Sequence, residues 1–304
     1  MSPRQLLALF ICLPPGIARG QQNVPLSRLQ RASVETVQTD VPIIAGRAIG
    51  GVSVDDAGRI YASNFRKKVF RIELDGSVTT LTTDFERASG NTIDSNDDLL
   101  QSEYDLNALY RIHEDGSRTL VTDTGLDGPV GVTQHENDIY VVNYLGNTIS
   151  RVSPEGVTSL FSADPLLNGP NGIVFNAFGE MYVVNLKDNL LLHVDEQGRA
   201  SILAAIGQSL SFNNAHLVAI GKSLYVSKIF EHRIYRVTLA GEIDFVIGTG
   251  APGVQDGIAP GSARLYHPNG MAVGPDGRTI YTNNYIGAMG TPGSPMRIRT
   301  IELW

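Results

Sequence analysis

The run GPNGIVFNAFGEMYVVNLKDNLLLHVDEQGRASIL, from Gly169 to Leu203, decides the fold. It reads as an apolar strand, a Gly-containing turn, and a second strand ending Tyr182-Val183-Val184-Asn185. A third apolar strand follows, then another Gly turn and a fourth strand. Short β-branched or alternating runs between turn residues are strand signals. The same phrase recurs along the chain. Its second-strand landmarks are Tyr61, Leu100, Tyr140, Tyr182, Tyr225 and Tyr281, spaced by subtraction at 39, 40, 42, 43 and 56 residues. The third-strand landmarks Arg71, Arg111, Arg151, His193 and Arg236 keep step, at 40, 40, 42 and 43. Turn dipeptides such as Asp75-Gly76, Asp115-Gly116 and Asp276-Gly277 punctuate the repeats. Four strands in roughly 40–45 residues is the period of a propeller blade. A helical solenoid would need a 3.6-residue period, and none is present.

The expected fold is therefore an all-β, six-bladed β-propeller over 33–304, with four antiparallel strands per blade. The last repeat stops at Trp304 without a fourth strand. The missing strand is found at the other end: Ser33–Asp40 (SVETVQTD) resembles Ser77–Asp84 (SVTTLTTD), the fourth strand of the first full repeat. The N-terminal strand, Val34–Val37, is thus expected to complete the blade that ends at Leu303, which removes two open sheet edges. The 56-residue interval carries a Gly/Pro-rich insertion, Gly248–Gly270, that links blades five and six.

Residues 1–20 read as a secretory signal peptide: Arg4, an apolar core from Leu6 to Leu13, and small residues Ala18 and Gly20 before a cut at Gln21. Residues 21–32 then form a linker. The expected location is secreted or periplasmic, without a membrane span. Removing 1–20 deletes Arg4 and Arg19 and no acid, taking the net charge from −7 to −9. It also removes Cys12, the one cysteine, so thiol chemistry and disulfides are excluded from the exported form. An acidic chain without a Lys/Arg run is no partner for nucleic acid. A closed ring has no free sheet edge, so a monomer with a small-molecule substrate is expected.

The insertion together with Met271–Asn284 (MAVGPDGRTIYTNN) is similar to the NHL-repeat pattern. With Pro170-Asn171-Gly172-Ile173 and the blade grammar, the chain resembles the senescence-marker/gluconolactonase group of six-bladed propellers, which has strictosidine-synthase-like and paraoxonase-like relatives. The resemblance covers about 33–304 and implies the fold. The architecture hosts lactonases, lyases, synthases and plain binding modules, so it does not fix an activity.

Antiparallel alternation brings the start of strand one and the end of strand two to one face of the ring. The strand-one class is Gly50, Ser89, Val130, Asn171, Asn214 (or Ala215) and Asn269; the strand-two class is Asn64, Glu103, Asn143, Asn185, Lys228 and Asn284. Together they predict a polar ring at the channel mouth. Amide and carboxylate oxygens suit a hard cation such as Ca²⁺. The resemblance implies a divalent metal there, held by a first-blade Glu and by Asn or Asp of later blades. Asn171 matches that set and Asn214 falls where it places an Asp or Asn; Gly50 stands in place of the Glu, and Val130 fills the third-blade position.

Blade five departs most from the repeat, with His216 beside the glycine position and Lys228 in place of Asn. The leading expectation is an exported hydrolase of the gluconolactonase type, opening a lactone or ester. A divalent ion, Ca²⁺ by preference, would sit on Asn171, Asn214 and Glu103. His216 would move the proton and Lys228 would steady the oxyanion, while Asn64, Asn143, Asn185, Asn269 and Asn284 would face substrate. Two other readings stand beside it. One is a non-catalytic propeller that binds a ligand or a protein, the amides being turn caps. The other is a metal-independent lyase or synthase using Glu103 or Lys228.

Overall fold

The second strand of each repeat is largely buried on both faces, and where it is apolar each face packs on a neighbouring blade. In Met181–Asn185, Met181 and Val183 pack towards blade three, while Tyr182 and Val184 pack towards blade five. A computed structural model of the chain describes residues 31–40, 42–46, 48–207, 213–288 and 293–304. The expected signal peptide and most of the linker lie outside the described residues.

The six expected blades are present. Five are regular four-stranded antiparallel sheets whose strands neighbour one another in sequence order. They run Val52–Thr82, Ala88–Thr122, Pro129–Ser162, Pro170–Ala205 and Asn214–Ile247. The sixth contains Pro268–Val273, Thr279–Tyr285 and Pro295–Leu303, and is completed by the N-terminal strand Ala32–Thr36. The closing register pairs Ala32 with Leu303, Val34 with Ile301 and Thr36 with Arg299. The strand begins at Ala32, one residue before the expected boundary. The insertion adds a further strand outside it, Gly257–Ala259, and Ile43–Ile44 pairs with Met296 and Pro295.

Six apolar clusters hold the described ring together, one at each blade junction. Tyr61 and Val69 of blade one meet Leu99 and Ile112 of blade two, for example, and Tyr225 and Ile234 of blade five meet Ile280 and Ile301 of blade six. Six first strands encircle the central channel. Their glycines set how closely the blades approach. A Cβ on Gly90 would lie 2.2 Å from the Val130 carbonyl oxygen of the next blade, and one on Gly131 would lie 2.5 Å from that of Asn171.

Candidate functional site

In blades two to six the first strand starts with a register shift against its partner, and this shift defines equivalent positions. Pro129, Pro170 and Pro268 pair with Asn143, Asn185 and Asn284. In blade five the residue at that place is Asn214, opposite Lys228. Asn214 is therefore the counterpart of the prolines, and Ala215 is the counterpart of Asn171 and Asn269. His216 then occupies the position that is glycine in the other five blades: Gly51, Gly90, Gly131, Gly172 and Gly270.

His216 borders two cavities of the channel. An upper cavity of about 290 Å³ is bordered by Gly50, Ser89, Val130, Asn171 and Asn269, and His216 reaches it from blade five. A lower cavity of about 230 Å³ is bordered by the inner strands further along, and again by His216. The histidine is anchored by its backbone. Its N–H donates to the Ser227 hydroxyl at 3.0 Å, and that hydroxyl lies 2.7 Å from the Asn269 carbonyl oxygen, an acceptor for its proton. Its ring makes no hydrogen bond to another described residue. Part of the ring surface stays open, yet burial pushes the imidazole pKa down to about 4, so the ring is neutral near pH 7.

Two strand-one amides are half used. Asn171 Nδ2 donates to Ala215 O at 2.6 Å, and Asn269 Nδ2 to the carbonyls of Ile49 and Gly50, both at 2.9 Å. These bonds tie each blade to the next. The Oδ1 atoms have no described protein partner, and both residues border the cavity.

The strand-two class is built differently from the expectation. None of Asn64, Glu103, Asn143, Asn185, Lys228 and Asn284 borders the upper cavity. They are turned into the blades, where they hold loops. Asn64 Oδ1 accepts from the N–H groups of Arg66 and Lys68. Asn143 Oδ1 accepts from Asp127 N, Asn185 Oδ1 from Asn168 N, and Asn284 Oδ1 from Tyr266 N. Glu103, fully buried, is the carboxylate form of the same latch, accepting from the N–H groups of Glu86, Arg87 and Asp105. Lys228, also fully buried, staples blade five to blade four. Its Nζ donates to Asn189 Oδ1 and Ile206 O, both at 2.8 Å, and lies 3.6 Å from Glu231. Burial pulls its pKa down.

The residues that line the mouth in place of this class are the next ones along: Phe65, Tyr104, Tyr144, Leu186 and Ile229. Phe65, Tyr104 and Tyr144 form an aromatic crescent across blades one to three, with centroids 6.0 and 6.3 Å apart. Arg87 completes the wall. The signal was present in the sequence as an aromatic after Asn64, Glu103 and Asn143.

The expected metal trio does not gather. Asn171 borders the cavity; Glu103 spends its oxygens on backbone donors; Asn214 is fully buried opposite the Lys228 position, with Nδ2 and Oδ1 unpartnered. No carboxylate lines the upper cavity, and no cluster of three His, Cys, Asp or Glu suited to a metal occurs among the described residues. A Ca²⁺ ion takes 6–8 oxygens, usually with carboxylates among them. The lining residues do not fit one, and no step below is routed through a metal.

No protein-family model matches the chain, and no curated protein matches it in sequence. Solved structures match it in fold, and the three that follow each cover 90% of this chain. One is a catalytically inactive histidine-to-alanine variant of virginiamycin B lyase from Staphylococcus aureus with quinupristin, at 17% identity, TM-score 0.65 and 100% of that chain. Another is a gluconolactonase from Xanthomonas campestris, at 14% identity, TM-score 0.66 and 90% of that chain. A third is an auxiliary nutrient binding protein from Bacteroides ovatus, at 16% identity, TM-score 0.72 and 77% of that chain. At these identities the likeness shows the fold.

Proposed function

We propose that the upper cavity binds a small organic molecule and opens an ester or lactone in it without a metal, with His216 as the proton acceptor. The observation that supports this is the place of His216: a neutral, unpartnered imidazole in the position five other blades give to glycine, at the floor of an aromatic cavity. With a pKa of about 4 the imidazole is a weak base before substrate arrives. Negative charge developing on the substrate oxygen beside it favours the imidazolium, which raises its basicity as the reaction proceeds. The free Oδ1 atoms of Asn171 and Asn269 orient donors on the substrate or on an attacking water. In hydrolysis His216 takes a proton from that water as it adds to the carbonyl and returns it to the leaving alkoxide; in elimination it takes the proton from the carbon next to the one that bears the ester oxygen, whose C–O bond breaks to release a carboxylate. Lactonase and lyase chemistry among the fold neighbours agrees with this reading without fixing the substrate.

The test is turnover of glucono-δ-lactone and of the cyclic depsipeptide quinupristin by protein held in EDTA, with products weighed by mass spectrometry. Hydrolysis adds one water; ring opening by elimination leaves the mass unchanged. His216→Gln is expected to lower turnover by about 100-fold or more. Turnover that needs Ca²⁺, or that survives in His216→Gln, sinks the proposal. The weak basicity of His216 favours a second reading, a binding propeller without chemistry. It predicts tight ligands and no products.

A further inference from the structure

We infer that the ligand of the upper cavity is a ring-bearing organic carboxylate, recognised by Arg87 and Lys187 at the aromatic wall; this rests on the ligand-binding part of the reading above. The chain is acidic, at −7. Among the described residues that border the cavity, Arg87 alone is charged at neutral pH. Arg87 borders the cavity with its guanidinium carbon 5.5 Å from the Phe65 centroid and 5.2 Å from that of Tyr104. It pairs with Asp105 at 3.2 Å, and both side chains are about two-fifths exposed (40% and 39%). One carboxylate contact leaves most of the five-donor fork unused.

Lys187, in the equivalent loop of blade four, holds its Nζ 4.6 Å from the Tyr144 centroid. It makes no ion pair among the described residues. Its sequence neighbour Asp188 is already engaged, accepting from Asn168 Nδ2 and Leu190 N.

Two cations laid on ring faces are oriented and partly stripped of water before any ligand arrives. A guanidinium fork matches a planar carboxylate with paired N–H donors. No acid lines the cavity to repel an incoming anion. The tilted rings of Tyr104 and Tyr144, at 45° to one another, offer stacking surface to the rest of the molecule.

The test uses the full chain and two probes of one shape, 2-naphthoate and 2-naphthamide, titrated by calorimetry. The carboxylate is expected to bind about tenfold tighter than the amide. That advantage is expected to vanish in Arg87→Gln, to shrink in Lys187→Gln, and to fall as salt is raised. Both replaced side chains lie at the surface, and circular dichroism melts check that the variants fold. Equal binding of the two probes, tighter binding of the amide, binding of neither, or an advantage that survives both variants would overturn the inference. The catalytic reading fails separately. Carboxylate preference without ester opening leaves this inference standing, and ester opening without carboxylate preference leaves only the catalysis.

Discussion

His216 is held neutral by burial, and that has a consequence for stability as well as for chemistry. In the unfolded chain an imidazole takes its proton near the ordinary value of 6.5; in the folded protein His216 takes it near 4. Between these values the unfolded state binds more protons, so stability falls as pH drops through the window and the loss levels off below about pH 4. His232, also pushed down to about 4 by burial and by the neighbouring His267, adds to the same slope. Urea midpoints measured across this range should therefore decline towards acid, and His216→Gln should flatten part of the decline. An unchanged slope in the variant would show that the ring is not held as described. The site was legible at this scale only in part. Asn171, Asn269 and His216 border the cavity as expected from their places in the repeat. The strand-two class was off by one, because a strand alternates its faces and a shift of one residue reverses which way a side chain points. Asn64, Asn143 and Asn185 serve the loops, while Phe65, Tyr104 and Tyr144 border the cavity.

Among elements, the first strand of each blade carries the tightest constraint. In five blades its glycine lets the next blade's backbone come within contact distance, as when the N–H of Gly51 itself donates to Ser89 O at 2.8 Å. Gly90→Ala would place a Cβ 2.2 Å from a backbone oxygen that has no flexible side chain to yield. The expected cost is about 1–3 kcal/mol, read as a lower denaturant midpoint. A midpoint equal to the parent's would refute the packing argument. The blades were legible because the landmark of the second strand, a tyrosine in five of the six repeats, recurs at near-constant spacing until the insertion. The alignment of blade five was not, because its strand begins with the same register shift as the others but without the Pro-Asn-Gly marker. That left Asn214 and Ala215 interchangeable on paper.

For the whole molecule, closure depends on one buried cation. Arg299, fully buried, donates from its fork to Glu35 O at 3.3 Å, Arg264 O at 3.0 Å and Gln255 O at 3.2 Å, and meets Asp256 at 2.8 Å. It thus ties the last strand to the N-terminal strand and to the insertion at once. Arg299→Leu would strand three carbonyls and should cost roughly 3 kcal/mol or more, seen as a fall in melting temperature. Arg299→Lys should recover little, since one ammonium cannot span the fork's partners. Full recovery by lysine would mean that charge alone holds the seam. The seam itself was legible from the likeness of Ser33–Asp40 to Ser77–Asp84; the part played by Arg299 was not, because its partners are backbone oxygens that carry no sequence signature.

Ring closure also orders events in time. Val34 pairs with Ile301, a separation of 301 − 34 = 267 residues, and Arg31 and Trp304 exchange backbone hydrogen bonds at 3.2 and 3.1 Å. During synthesis, blades one to five can form as they leave the ribosome, while the strand that emerged before them waits unpaired for the last one made. And since the described ends lie side by side, a chain joined there and reopened at another junction would build the same ring with no strand left waiting.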